Sequence, residues 1–203
     1  MINKIRELEE KTKEIMSQLE ELKKENKVKL SSLKPGDTFW IADKEFIVLF
    51  QEPFANSTHV ISKDLWGGSV EFGNSRDYRE SSLKKYIEEN IQPVIENEVG
   101  AENIIEHEVD LVGVDGKDIF EKFLCKVRPI TFDEFREFGD LLINGDMNYL
   151  YWTCSSWWAR NEDRSTVAVV APSGLIFYNY CSCDYGVRPF CILKSNIFVS
   201  TGK

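Results

Sequence analysis

The chain has 203 residues, a formal net charge of −9 and a pI near 4.9; 42% of it is hydrophobic and 12% aromatic, which is core material for one large domain or two small ones. A broad acidic surface repels phosphate, which argues against nucleic acid and anionic membrane as partners. No apolar run reaches the roughly 18–20 residues of a membrane helix, and Met1–Glu7 runs into charge rather than a signal core, so the chain is expected to be made in the cytoplasm without a signal peptide and to leave, if at all, by a route such as lysis.

Residues 2 to about 28 carry Ile5, Leu8, Thr12, Ile15, Leu19, Leu22 and Asn26 in steps of three and four, flanked by charge. As a and d positions these make a heptad seam, with Asn26 placed to fix register. Such a polar helix is marginal alone in water, so two readings stand: a homodimeric or homotrimeric coiled coil through residues 5–26, or one amphipathic helix packed on its own domain. Ser31, Ser32, Pro35 and Gly36 break it. Thr38–Ile41 and Phe46–Phe50 then read as a hairpin around Ala42-Asp43-Lys44, and His59–Ser62 as a third strand. Leu65, Trp66 and Gly67-Gly68 open a loop. A helix capped by Ser81 or Ser82 carries Leu83, Tyr86, Ile87 and Ile91 on one face, and Pro93 ends or kinks it. Residues 103–114 alternate in part and read as a strand closed by Asp115-Gly116, with Phe123–Val127 a further short apolar run. Thr131-Phe132-Asp133-Glu134 is a capping box for a helix that buries Phe135, Phe138, Leu141 and Leu142. From Tyr149 the chain turns to β: Leu150–Thr153, Trp157–Arg160, Thr166–Val170, Leu175–Tyr180 and Phe190–Leu193, with a turn at Pro172-Ser173-Gly174.

Chemistry-bearing patterns are few. The cysteines are Cys125, Cys154, Cys181, Cys183 and Cys191, an odd number with no Cys-x-x-Cys pair, which does not suit a zinc site. Cys181 and Cys183 sit at strand spacing, as a metal pair or a disulfide partner would. His59 and His107 belong to no catalytic set; His107, between Glu106 and Glu108, would titrate upward or stand as an exposed strand histidine. Glu162 and Asp163, with Asn161 or Asp184, have the oxygens calcium wants but read equally as a solvated turn. Neither a catalytic residue nor a cofactor is assigned. The stretch Tyr178-Asn179-Tyr180-Cys181-Ser182-Cys183-Asp184-Tyr185 mixes rigid aromatic area with small polar groups, as paratopes do. Tyr178, Asn179, Tyr180, Ser182, Asp184, Tyr185 and Arg160 are the ligand-binding candidates, against the alternative of an ordinary polar loop. Trp157, Trp158, Gly186 and Arg188 are structural candidates: Gly186 for a close approach, and Arg188 partly buried against the two indoles, stacked on one or paired with a carboxylate.

Several motifs recur in one order: Lys34-Pro35-Gly36-Asp37, Val60-Ile61-Ser62-Lys63-Asp64, Ser75-Arg76-Asp77-Tyr78 with Ser82-Leu83, Thr131–Phe135, Trp157-Trp158-Ala159-Arg160, Ser173-Gly174 and Gly186-Val187-Arg188-Pro189. In that order they resemble an uncharacterised domain family of bacteria and their phages, within the wider C-type-lectin-like group that includes formylglycine-generating enzymes and phage tropism determinants. The resemblance covers residues 33–198; Ala159, Asn161 and Phe190-Cys191 depart from the family pattern. It implies an α+β fold, a C-type-lectin-like domain of mixed short strands with two helices (31–203) behind a coiled-coil helix (1–30). It also implies a non-enzymatic recognition protein, virion-associated as a phage tail component, whose partner is a protein or carbohydrate receptor on a host cell and whose C-terminal stretch is the variable surface. Two alternatives stay open: an intracellular adaptor or inhibitor binding a host protein, and a metal-dependent oxidase of the formylglycine-generating type, for which Cys181 and Cys191 are the nearest copper-binding pair.

Overall fold

The computed structural model describes residues 2–25, 27–159 and 165–202, and, within the first helix, the side chains of residues 4–6 and 8–16. The heptad segment is one helix, α1 (Ile2–Glu25), about 36 Å long at 1.5 Å per residue. Ile5, Leu8 and Ile15 remain 54, 59 and 60% exposed, so this part of the seam is not covered by the rest of the chain. Asn26 lies outside the described residues.

The last residues of the expected helix instead form β1 (Lys27–Lys29). Next come β2 (Thr38–Ile41), β3 (Lys44–Glu52) and β4 (Ser57–Ser62). A two-residue strand, β5 (Val70–Glu71), precedes α2 (Ser82–Tyr86), whose cap is Ser81: its hydroxyl accepts from the Lys84 N–H at 3.0 Å. A π-helical turn, Ile87–Ile91, joins α2 to α3 (Gln92–Val99). Proline has no N–H and its ring crowds the preceding turn, and the wider π turn just upstream of Pro93 makes room for it. The helix is thus carried on to Val99 rather than ended.

Residues 103–114 are not one strand. They give β6 (Ile104–Ile105) and β7 (His107–Val109), which belong to different sheets. Next come β8 (Phe123–Cys125), β9 (Val127–Arg128) and α4 (Phe132–Leu142). The α4 capping box is complete: the Thr131 hydroxyl accepts from Glu134 N–H at 3.1 Å and the Glu134 carboxylate accepts from Thr131 N–H at 2.8 Å. Thr131→Ala is expected to lower stability by about 1 kcal/mol, measurable as a shifted urea midpoint. The remaining strands are β10 (Tyr151–Ser156), β11 (Thr166–Val170), β12 (Ile176–Tyr180), β13 (Asp184–Tyr185), β14 (Phe190–Lys194) and β15 (Phe198–Ser200).

The main sheet runs β1-β15-β2-β3-β4-β14-β6, with β9 also on β14. Its first and last strands in sequence pair antiparallel, Lys27 opposite Ser200 and Lys29 opposite Phe198, so both ends of the folded body meet at one sheet edge. Both faces are covered. On β3, Phe46 and Val48 join a core with Ile87, Ile91 and Ile95 of the π turn and α3, while Ile47 and Leu49 join a second core with Phe135 and Leu142 of α4. That two-sided burial is why residues 46–49 read as a continuous apolar run rather than an alternation. The smaller sheets are β10-β11-β12, β13-β5 and β7-β8. The architecture is mixed α+β, and among the described residues no helix is long and apolar enough to cross a membrane.

Candidate recognition surface

The Gly-Val-Arg-Pro segment is an internal lock. Gly186 donates its N–H to Leu150 O at 2.9 Å and accepts from Trp152 N–H at 3.0 Å, which hooks it to the start of β10. A Cβ at this position would lie 2.6 Å from a Leu65 methyl, so the need for glycine here is a close approach. Val187 O accepts from Trp66 N–H at 2.7 Å, and Pro189 O from Ser62 N–H at 3.0 Å. Arg188 is fully buried. Its Nε donates to Ser62 O and its Nη1 to Leu142 O, each at 2.9 Å. Leu142 ends α4, so the guanidinium sits where the helix leaves carbonyls unpaired and its dipole is negative. The ring beneath it is Tyr151, 4.9 Å away. This corrects the expected stack on an indole: Arg188 ties β4, α4 and β10 together. Burial pulls its pKa below the usual guanidinium value, and the neighbouring Tyr151 and Asp64 oppose that pull.

Trp157 and Trp158 do not form a strand. β10 stops at Ser156 and the chain bends. Trp157 is half-buried and its ring lies tilted against Tyr178 with centroids 5.3 Å apart, while Trp158 is exposed. The core indoles are Trp66 and Trp152; the Trp152 Nε1–H donates to Val70 O at 2.8 Å and its ring packs on Phe72 and Tyr185.

β12 is the outer strand of its sheet, paired with β11 from Thr166 opposite Tyr180 to Val170 opposite Ile176. Tyr178 and Tyr180 are 49 and 62% exposed, with Leu175, Phe177 and Trp158 also open. The structure therefore gathers Tyr178 and Tyr180, with the half-buried Trp157 against Tyr178, as aromatic surface on the outer strand. The other candidates divide. Ser182 and Asp184 are exposed, and Asp184 stands directly opposite Glu71 in the β13–β5 pair, two acids across one ladder. Asn179 and Tyr185 are already engaged: the Asn179 amide donates to the Tyr185 hydroxyl, and its oxygen accepts from Tyr180 N–H at 3.2 Å and the Cys183 thiol at 3.4 Å. These two brace the strip through bonds within the chain. Arg160, with the calcium candidates Asn161, Glu162 and Asp163, lies outside the described residues.

All five cysteines are free thiols. Cys181 and Cys183 occupy the turn after β12 rather than a strand face. Burial pushes Cys125 and Cys181 up to about 11 and Cys154 and Cys191 up to about 12, so these four stay protonated at neutral pH and are weak nucleophiles.

The strongest electrostatic feature was not legible as a site. Arg128, buried on β9, makes a two-pronged bond to Glu134 (Nη1–Oε2 2.6 Å, Nη2–Oε1 2.5 Å), donates from Nε to His107 Nε2 at 3.2 Å, and lies 4.4 Å over the Phe190 ring. Burial alone would raise the Glu134 carboxyl, but Arg128 and the Thr131 N–H and hydroxyl hold it down at about 2. Burial and the adjacent guanidinium push His107 down to about 4, the reverse of the expected upward shift. Neutral His107 accepts from Arg128 at Nε2, which leaves Nδ1–H to donate to Ile105 O at 3.2 Å. The cluster clamps β7, β9 and α4. Its only signal in sequence was the capping-box glutamate, which accounted for one of the two roles of Glu134. Comparison of the chain with protein-family models, with curated proteins and with solved structures returned no match.

Proposed function

We propose that the chain is a non-enzymatic recognition protein: a C-type-lectin-like domain carried on an oligomerising helix, serving as a phage tail component that binds a receptor on the host-cell surface. The observation that carries this reading is the pairing of a rigid brace with an open aromatic strip. Behind Tyr178 and Tyr180, the Asn179–Tyr185 bond, the Trp152–Tyr185 ring contact and the Gly186 hooks fix the backbone, while the two tyrosines, with the Trp157 ring against Tyr178, are open to solvent. Tyrosine and tryptophan held in place supply contact area at low entropic cost, and such residues dominate binding hot spots. Exposure of Ile5, Leu8 and Ile15 on α1 supports the homo-oligomer, in which several weak sites act together and raise avidity by orders of magnitude when they engage at once.

Binding of the full chain to bacterial cell-envelope fractions tests this directly. Tyr178→Ala/Tyr180→Ala is expected to weaken capture at least tenfold while leaving the thermal midpoint within a few degrees of wild type. Periodate treatment of the envelopes abolishes capture for a carbohydrate receptor and protease treatment for a protein one. Equal capture by wild type and the double variant removes the strip from the argument. Capture from cytosol alone favours the adaptor reading instead.

A further inference from the structure

We infer that α1 assembles parallel and in register with other copies of this chain, so that their folded bodies emerge side by side from one end of the bundle. This rests on the oligomer reading above and adds orientation to it. The described seam is open to solvent at Ile5, Leu8 and Ile15. Thr12, the polar residue within it, donates its hydroxyl to Leu8 O at 2.7 Å, so it enters a dry seam without an unpaired donor. In a parallel in-register bundle every layer matches itself: Ile5, Leu8, Ile15, Leu19 and Leu22 meet their own kind, Thr12 meets Thr12 and Asn26 meets Asn26. A full-length antiparallel overlap instead sets Thr12 against Ile15 twice and leaves Asn26 beyond the seam. Like-with-like polar layers are what specify register in coiled coils. The flanks agree. Lys4 and Glu9, both exposed, hold the g and e positions that face each other across a parallel interface.

α1 ends at Glu25 and β1 begins at Lys27, so the short separation in sequence lets a parallel bundle bring the bodies close together. Residues 1–26 hold six basic against seven acidic side chains, so nearly all of the acidity belongs to the bodies. Their mutual repulsion is screened by salt, and association is expected to strengthen as ionic strength rises.

Cysteine cross-linking of the full chain reads out orientation. Leu8→Cys alone and Leu19→Cys alone are each expected to yield disulfide-linked dimers under mild oxidation, at least tenfold above wild type, whose own thiols are mostly buried. An antiparallel bundle gives little product with either variant alone and cross-links only when the two are mixed; that result overturns the proposal and leaves the oligomer reading intact. A monomeric wild type by light scattering overturns both. As a second arm, Lys4→Glu is expected to weaken association several-fold and Lys4→Glu/Glu9→Lys to restore it. No restoration by the double variant counts against the parallel register.

Discussion

Arg188→Ala is expected to destabilise the folded body by about 3–5 kcal/mol, from two unpaired buried carbonyls and a large cavity. In urea, with a slope of about 1–3 kcal/mol/M, that moves the midpoint down by about 1 M or more. Among the described residues no carboxylate forms an ion pair with Arg188, and Asp64 acts on it only through its charge. Its partners are the carbonyls of Ser62 and Leu142 and the face of Tyr151, and it occupies the negative end of α4. Desolvation of the guanidinium works against the fold, so an apolar side chain of similar volume should recover part of the loss. Arg188→Met is therefore expected to fall between wild type and alanine. Arg188→Lys should resemble alanine more than wild type, because a point-like ammonium cannot serve two carbonyls on separate elements as the planar fork does. An unfolding free energy for Arg188→Ala within about 0.5 kcal/mol of wild type, the range of neutral surface changes, would mean that the segment is not a lock. The supporting geometry for β12 would then have to come from elsewhere.

The same residues show what sequence reasoning reaches. The capping box of α4, the turn at Pro172-Ser173-Gly174 and the β2–β3 hairpin are written in a few consecutive residues, and the structure places each as the local pattern implies. The identity of Arg188 as a buried structural residue was legible from its Gly-Val-Arg-Pro setting. Its partner was not: Tyr151 lies 37 positions away, and nothing in the Trp157-Trp158 pair indicates that the chain bends after Ser156. β1, β5, β13 and β15 have two or three residues each and no periodicity to detect. They exist because a distant strand supplies their hydrogen bonds, as Glu71 and Val70 do for Asp184 and Tyr185. For the same reason Ile104–Val109 read as one strand, although Ile105 pairs with β14 and His107 with β8. In the candidate strip, composition did not separate the exposed Tyr178 and Tyr180 from Asn179 and Tyr185, which bond to each other, because a polar side chain that binds its own neighbour looks the same in sequence as one that is open to solvent.

Breaking the Arg128–Glu134 pair should cost as much as losing Arg188, and pH should reveal it. Glu134→Gln leaves a buried guanidinium without its counter-charge, an expected loss of about 3–5 kcal/mol. Arg128→Met/Glu134→Gln should be more stable than Glu134→Gln alone, because the amide still serves the capping box and no orphaned charge remains. In wild type, a depressed carboxyl stabilises the fold fully above its unfolded value and loses that contribution as pH falls. For Glu134 the window runs from 4.5 down to about 2. His107, also depressed, opens an earlier window. The unfolded chain takes up a proton near 6.5, whereas the folded chain, with Arg128 donating into Nε2 and His59 nearby, resists protonation until about 4. Stability should therefore begin to fall below pH 6.5, by about 1–3 kcal/mol across the histidine window, and steepen again below 4.5. His107→Gln keeps an acceptor for Arg128 and a donor for Ile105 but cannot titrate, so it should shrink the first stage to the part contributed by His59, which burial also depresses, and leave the second. Glu134→Gln should flatten the second. Urea midpoints measured from pH 7.5 to 3 separate the two stages. If His107→Gln tracks wild type through the first window, the histidine titrates freely and the hydrogen bond from Arg128 does not hold it neutral.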